Sequence, residues 1–248
     1  MIAAVIPAGG TGSRFRGTGS ALPKQYQQLA GEPIYIWSLS TICRHPSIER
    51  IVLVVAKDML EAAQRNLANL AESGNYPGTQ KVELAVGGAT RQESVFKGIE
   101  KLAEHAEQPE HVIIHDAARP FITATMIDET INCVTAHGAC TLAVPLTDTI
   151  KRVHAGVIQE TLDRTSLYLI QTPQAGRFTW LMDGHRRAAA EGFETTDDAS
   201  ILEYAGHEVS IVFGSRYNLK ITNPEDLLIS EAIAPIALGL LKADSGGT

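Results

Sequence analysis

Short runs of aliphatic and β-branched residues alternate along the chain with longer segments in which apolar residues recur at helical spacing. The short runs predict β-strands at residues 2–6, 51–56, 82–86, 112–115, 141–144 and 209–213. The longer segments predict helices at residues 34–45, 58–72, 91–106, 123–137, 178–191, 197–205 and 224–238. Several strand candidates are apolar throughout, which is typical of a sheet covered on both faces. The pattern therefore predicts an α/β fold, with a Rossmann-like, mostly parallel sheet and helices on both of its faces.

Residues 147–171 break this alternation. Two short extended pieces flank the dipeptide Ala155-Gly156, which predicts a β-hairpin arm that projects from the sheet. An isolated hairpin is too small to bury its own apolar residues, so the arm needs a packing partner. No repeat of fixed period and no Pro/Ser-rich linker interrupts the chain, and residues 1–248 are therefore predicted to form a single domain that carries this arm.

The charge balance narrows the range of ligands. The chain has 21 Lys and Arg residues against 28 Asp and Glu residues, a formal net charge of −7. An acidic protein is a poor match for a nucleic acid backbone, although a local basic cluster can still bind a small phosphate. The three cysteines have no metal-binding spacing, and no apolar run is long enough for a signal or a membrane span. These features predict a cytoplasmic protein that binds neither nucleic acid nor membrane.

The first predicted strand leads into a glycine-rich loop, residues 7–14 (PAGGTGSR). Ligands of open α/β sheets bind at the carboxyl ends of the strands, and glycines let backbone N–H groups approach a phosphate. A tight β-to-α turn would explain the same glycines. The P-loop sequence is absent, whereas the dinucleotide fingerprint begins at Gly10 and Gly12 but meets Phe15 at its third glycine. An NAD(P)-dependent oxidoreductase therefore remains an alternative.

Basic residues follow this loop. Arg14, Arg16 and Lys24 concentrate positive charge in an acidic chain. An arginine fork and a lysine point charge suit the negative charge that gathers on a triphosphate as it reacts, and a solvated surface cluster is the alternative interpretation.

Ordered motifs along almost the whole chain resemble the 2-C-methyl-D-erythritol 4-phosphate cytidylyltransferase family, which makes isoprenoid precursors by the non-mevalonate route. The motifs are residues 7–14 and 23–26, Gly87, Gly88, Arg91, Ser94, and residues 115–120, 148–152, 163–164, 172–174, 196–200 and 218–222. The resemblance implies that a phosphate oxygen of methylerythritol phosphate attacks the α-phosphorus of CTP, with Mg²⁺ assisting, and that pyrophosphate leaves. No general base is needed, because the attacking phosphate is already ionised.

The resemblance also implies roles for individual residues. The catalytic residues are Arg14, Lys24 and Lys220. The nucleotide site comprises Ala8, Gly9, Gly10, Thr11, Gly12, Gly87, Gly88, Ser94 and Ala117. The acceptor site comprises Asp116, Arg119, Thr149, Arg164, Thr172 and Thr196, with Asp116 also the candidate Mg²⁺ ligand.

The family's homodimer, in which each arm reaches the neighbouring active site, is implied in the same way. Arg119 also has a structural interpretation, as an ion-pair partner of Asp116, and either Thr196 or Asp197 has one as a helix cap. An ordinary helix residue is the alternative interpretation of Ser94. His115 is interpreted as a satisfied residue at a strand end rather than as a catalyst.

The sequence departs from the family pattern in two places, and it leaves two further functions as alternatives. The family commonly has Ala-Ala-Gly where this chain has Ala8-Gly9-Gly10, and the segment 16–22 is longer than expected, which predicts a mobile lid. A ribitol 5-phosphate cytidylyltransferase shares the glycine loop and the Pro-Lys-Gln step. A non-catalytic nucleotide sensor is a further alternative.

Overall fold

The computed structural model describes residues 1–10 and 23–244. Its strands are β1 (Ile2–Ala8), β2 (Gln28–Leu29), β3 (Glu32–Pro33), β4 (Ile48–Val55), β5 (Val82–Val86), β6 (His111–Ile114), β7 (Ala139–Pro145), β8 (Lys151–His154), β9 (Val157–Thr161), β10 (Tyr168–Arg177) and β11 (Ser210–Phe213). Its helices are α1 (Ile34–Arg44), α2 (Leu60–Ser73), α3 (Arg91–Ala103), α4 (Ala124–His137), α5 (Phe178–Glu191), α6 (Asp198–Tyr204) and α7 (Pro224–Asp244). All six predicted strands and all seven predicted helices are present, with boundaries shifted by a few residues.

Seven strands form the central sheet in the order β11-β7-β10-β6-β1-β4-β5. The pairs β11·β7, β6·β1, β1·β4 and β4·β5 are parallel, which confirms the mostly parallel sheet. Strand β10 is antiparallel to both of its neighbours. It was not predicted as a sheet strand, because Pro173 and the polar residues beside it read as a break in the pattern.

Side chains that alternate along the buried strands pack against helices on opposite faces. Val5 packs with α3 and α5 through residues such as Ile99 and Leu181, whereas Ile6 packs with α1 and α4 through residues such as Leu39 and Ile127. Burying both faces of the sheet in this way supplies most of the core. Among the helices that the structure describes, none is long and apolar enough to cross a membrane.

The predicted arm is present as the hairpin of β8 and β9. Ala155 and Gly156, between the two strands, both have positive φ values, 46° and 78°, as a two-residue hairpin turn requires. The predicted range extends too far, however, because residues 168–171 belong to β10 of the central sheet. Val153, Val157 and Ile158 of the hairpin are more than half exposed.

Candidate active site

A cavity of about 280 Å³ opens at the carboxyl ends of β1 and β6. It brings together nine of the residues predicted for the site, which come from five separate parts of the chain. These are Ala8, Gly9, Gly10, Lys24, Gly88, Ser94, Asp116, Ala117 and Lys220. Parallel strands end at one edge of the sheet, and so the fold itself gathers these segments.

The first loop is held in place by a residue that was not predicted for the site. Gln25 is 2% exposed, and its Nε2 donates to the carbonyl oxygen of Ala8 at 2.5 Å and to that of Gly10 at 3.0 Å. The short 3-10 helix Lys24–Tyr26 presents Lys24 to the cavity from the same turn. One side chain therefore links the glycine loop to the segment that carries a predicted catalytic lysine.

The second glycine segment lies against the start of α3. The Ser94 hydroxyl donates to the carbonyl oxygen of Thr90 at 2.9 Å and accepts from the backbone N–H of Gly88 at 3.2 Å. A Cβ on Gly87 would lie 2.7 Å from Ser94 Oγ, and so the close approach requires a glycine there. Thr90 caps the helix by accepting from the N–H of Glu93. Together these contacts fix one wall of a narrow slot.

Asp116 is the centre of charge in the cavity. Its Oδ1 accepts from Arg91 Nε at 2.8 Å, and its Oδ2 lies 2.6 Å from Lys220 Nζ. Although burial acts to raise it, Arg91 and then Lys220 hold the pKa of Asp116 well below its ordinary value. The carboxyl group is therefore an anion at every physiological pH. Arg91 continues to Asp198, whose Oδ2 lies 2.7 Å from Arg91 Nη2.

A line of hydrogen bonds supports Asp116 from behind. Thr172 Oγ1 accepts from the backbone N–H of Asp116 at 3.0 Å and lies 3.2 Å from His115 Nδ1. His115 Nε2 lies 3.0 Å from the carbonyl oxygen of Arg119, which assigns the proton to Nε2 and leaves Nδ1 to accept from Thr172. Burial lowers the pKa of His115 to about 4, so that the ring is neutral at pH 7. Thr172 is 4% exposed and lies beneath the cavity wall.

A second cavity, of about 400 Å³, adjoins the first and shares Lys220 with it. Two further basic side chains line it, Arg119 and Arg216, together with Thr147 and Gln171. Arg119 Nη1 donates to the carbonyl oxygen of Asn218 at 2.7 Å, so this guanidinium is fixed by backbone rather than by a hydrogen bond to Asp116. Arg216, which was not predicted for the site, donates from Nη2 to Thr147 Oγ1 at 2.5 Å. The three cations outnumber the one carboxylate in the described lining, Asp148, and this excess of positive charge suits an anionic ligand.

Other predicted residues lie apart from these cavities. Thr149 is exposed at the base of the arm, and Arg164 donates to the carbonyl oxygen of Thr147 in its own chain. Thr196 is exposed and lines neither cavity, and the cap of α6 is Asp197, which accepts from the N–H of Ser200 at 3.2 Å. Thr11, Gly12, Arg14 and the predicted lid, residues 16–22, lie outside the described residues.

The cavity has little capacity to hold a metal ion by itself. Within residues 1–10 and 23–244, no group of three or more His, Cys, Asp or Glu side chains has the geometry of a metal site. Asp116 is the acidic residue among those that line the first cavity, and both of its oxygens face cations. This donor set fits a Mg²⁺ ion that arrives on nucleotide phosphates and takes one carboxylate oxygen from the protein.

The sequence of the chain is similar to those of known enzymes over almost its whole length. Residues 2–235 match the family model described as 2-C-methyl-D-erythritol 4-phosphate cytidylyltransferase. An enzyme of that name from Bacillus velezensis is 39% identical over 243 residues, which cover 98% of this chain and 96% of the relative. A bifunctional enzyme IspD/IspF of Rhodopseudomonas palustris is 40% identical over 98% of this chain, and the chain spans 58% of that relative's length.

Solved structures agree with the sequence comparison. The 4-diphosphocytidyl-2C-methyl-D-erythritol synthase of Anaerococcus prevotii superposes with a TM-score of 0.79 at 29% identity, covering 95% of this chain and 96% of the other. A 2-C-methyl-D-erythritol 4-phosphate cytidylyltransferase from Thermus thermophilus gives a TM-score of 0.73 at 26% identity, covering 94% of this chain and 98% of the other. The likeness therefore extends over the whole described fold.

Proposed function

Because the chain belongs to the 2-C-methyl-D-erythritol 4-phosphate cytidylyltransferase family, we propose that it transfers a cytidylyl group from CTP to 2-C-methyl-D-erythritol 4-phosphate through the cavity around Asp116. The products are 4-diphosphocytidyl-2-C-methyl-D-erythritol and pyrophosphate. Family membership confirms the predicted nucleotidyltransferase class. It removes the basis for an NAD(P)-dependent oxidoreductase, which rested on an incomplete glycine fingerprint.

One observation carries this proposal. Lys24 and Lys220, which are far apart in the sequence, line the same cavity as Gly88 and Ser94. Backbone donors and acceptors in the slot between the glycine segments would select a pyrimidine, and the two ammonium groups would supply charge for the phosphates of the nucleotide. A cytidine triphosphate therefore fits with its base in the slot and its α-phosphate toward the lysines.

The reaction is a single displacement at phosphorus. A phosphate oxygen of the acceptor forms a bond to the α-phosphorus of CTP, and the bond from that phosphorus to the bridging oxygen of the β-phosphate breaks. Lys24 and Lys220, with Arg14 as a third cation, stabilise the charge on the five-coordinate transition state. No side chain has to remove a proton, since the attacking phosphate is already ionised. The neutral, buried His115 is consistent with this.

Lys220 lies between Asp116 and the substrates. Its Nζ is 2.6 Å from Asp116 Oδ2 in the free protein, and a bound α-phosphate would compete with that oxygen for the three N–H groups of the ammonium. Arg91 stays on the other oxygen and keeps the carboxylate in place. A Mg²⁺ ion carried by the nucleotide would then find Asp116 Oδ2 exposed as its protein ligand, and its charge would neutralise the phosphates.

The acceptor fits the second cavity. Its phosphate has to lie beside the α-phosphate of CTP, and Lys220 is the residue that the two cavities share. We further infer a homodimer in which Thr149 and Arg164 of one arm reach the acceptor bound to the other subunit. The exposed apolar residues of the arm, Val153, Val157 and Ile158, support this inference because a partner would cover them. Free Cys43, Cys133 and Cys140 favour a reducing compartment such as the cytoplasm.

An acceptor assay tests the proposed function directly. The protein is incubated with CTP, Mg²⁺ and either 2-C-methyl-D-erythritol 4-phosphate or ribitol 5-phosphate. Pyrophosphate release gives the rate, and mass spectrometry identifies the product. We expect release with the first acceptor and at least tenfold slower release with the second. Faster turnover of ribitol 5-phosphate would establish the alternative acceptor. CTP binding with no turnover of either acceptor would support a nucleotide sensor instead.

A further inference from the structure

Arg91 joins two aspartates from different parts of the chain. It is the first residue of α3, and its Nε binds Asp116 at 2.8 Å while its Nη2 binds Asp198 at 2.7 Å. Arg91 lines the cavity, as does Asp116. Asp198 does not line it and is 1% exposed. The arginine therefore connects a carboxylate in the ligand cavity to a carboxylate behind it.

Asp198 is fixed by groups that do not touch the ligand. It is the first residue of α6, and its backbone N–H donates to Gln174 Oε1 at 2.7 Å. His185 Nε2 lies 3.8 Å from its Oδ1, and burial lowers the pKa of this histidine, so the ring is neutral. Arg91 thus supplies the positive charge that compensates the buried Asp198 carboxylate.

The pairing fixes the direction in which the guanidinium points. Asp198 and Asp116 take two different N–H groups of the same planar fork, and this leaves little rotational freedom to Arg91. We propose that Asp198 is a positioning residue for cytidylyl transfer, which acts through Arg91 to hold Asp116 so that Lys220 is released to the α-phosphate. This inference rests on the proposed function and adds a residue that touches neither substrate.

Loss of the Asp198 charge has a specific consequence. A released Arg91 can turn from Asp116 toward the nucleotide phosphates, so that ground-state binding of CTP is kept or strengthened. Asp116 then depends on Lys220 as its remaining partner in the cavity, and Lys220 stays on the carboxylate instead of moving to the α-phosphate. Turnover falls while the affinity for CTP does not, which is the pattern expected for an interaction used in the transition state.

Asp198→Asn tests the proposal, with Asp183→Asn as the control. The control removes the same charge from an exposed carboxylate on α5 that lines neither cavity. We expect Asp198→Asn to lower kcat about tenfold and to leave the KM for CTP unchanged or lower. Here kcat is the rate for each CTP-binding site, and calorimetric titration with CTP gives the number of these sites. We expect Asp183→Asn to stay within twofold of wild type. Wild-type kcat in Asp198→Asn, a KM that rises in proportion, or an equal loss in the control would overturn the proposal.

A double variant separates positioning from general damage. Arg91→Gln alone should lower kcat at least tenfold, and Arg91→Gln with Asp198→Asn should be no slower, because both changes break the same connection. Losses that multiply to about a hundredfold would overturn the proposal. Should Asp198→Asn fail to fold, the double variant still decides the question: it removes both charges, and wild-type kcat in it would contradict the role. A wild-type protein that turns over neither acceptor would instead overturn the proposed function itself.

Discussion

The side-chain amide of Gln25 donates to the carbonyl oxygen of Ala8 at 2.5 Å and so ties the end of β1 to the turn that carries Lys24. The same amide reaches the carbonyl oxygen of Gly10 at 3.0 Å. In Gln25→Ala both carbonyl groups lose this donor, at a cost of about 1–3 kcal/mol for a buried acceptor. We expect kcat/KM for CTP to fall about tenfold or more, because the loop and the lysine lose their common support. Steady-state kinetics measure this.

Gln64→Ala is the control for that substitution. Gln64 is exposed on α2 and lines neither cavity. This variant should keep the wild-type KM for CTP. A normal KM and kcat in Gln25→Ala would show that the amide supports the fold alone.

The cations of the site should act mainly on turnover. Charge on the α-phosphate rises as the fifth oxygen approaches, and Lys24→Ala and Arg14→Ala should each lower kcat by about 10² to 10³. Lys24→Arg should restore only part of it, since a fork and a point charge differ in shape. Single-turnover kinetics at saturating CTP measure the chemical step. If both alanine variants kept the wild-type rate and showed only a higher KM, the transition-state role would be wrong.

Mg²⁺ should bind together with the nucleotide. Asp116 is the acidic residue among the described residues that line the first cavity, and because it is already paired with Arg91 and Lys220 it offers the free ion a weak site. Isothermal calorimetry should detect little Mg²⁺ binding to the protein alone and clear binding once CTP is present. EDTA should abolish turnover, and added Mg²⁺ should restore it. Tight binding of Mg²⁺ to the protein without nucleotide would contradict this expectation.

Mixing two inactive variants tests whether the arm of one subunit completes the active site of the other. Lys24→Ala damages the nucleotide side and Arg164→Ala the arm, and each should be inactive as a pure dimer. With equal amounts and random exchange, half of the dimers are mixed, and each mixed dimer has one intact site. Activity should therefore recover to about a quarter of wild type. Mass spectrometry confirms the exchange, and no recovery after it would assign Arg164 to its own subunit.

Acidification should destabilise the fold through buried histidines. Burial lowers the pKa of His115 to about 4, whereas the unfolded chain titrates near 6.5, so between these values the unfolded state binds the extra proton. The contribution of His115 to the free energy of unfolding is therefore fully present above pH 6.5, and it is lost as the pH falls from 6.5 toward 4. Burial lowers the pKa of His111 and His185 as well, with the same sign.

Urea unfolding at pH 7.5 and pH 5.5 measures this effect. We expect a loss of about 1 kcal/mol from His115 at the lower pH. His115→Asn should be less stable at pH 7.5 but should lose less on acidification. Equal losses in the variant and the wild type would show that another group titrates.

Local pattern was sufficient to predict most of the fold, because each buried strand and amphipathic helix carries its own signal. Strand β10 was missed because Pro173 interrupts it and Gln171, Thr172 and Gln174 are polar. These side chains are buried through hydrogen bonds to other segments, such as that from Asn218 Nδ2 to the carbonyl oxygen of Thr172 at 2.9 Å. A strand of this kind is stabilised by contacts with residues far away in the sequence, and these contacts leave no signal in the strand's own residues.

The candidate site divides in the same way. Segments with glycine or basic signatures, such as those of Gly88 and Lys24, were predicted and line the cavity. The support residues Gln25 and Asp198 were not, because Gln and Asp are common and their roles depend on partners that only the fold brings near. Arg91 and Asp198, for instance, are separated by 107 positions. Both residues lie in motifs that the resemblance to the family is based on, but the sequence did not predict their contacts or their burial.

Strand β10 carries the chain from exposed Leu169 and Ile170, beside the arm, to buried Gln171 and Thr172 under Asp116, and its pairing with β7 shifts register between Ile170 and Gln174. The exposed apolar residues and the hydroxyl that receives the Asp116 N–H therefore belong to one strand. A substitution that moves the backbone at residues 169–170 is expected to disturb the support of the carboxylate between Arg91 and Lys220 as well.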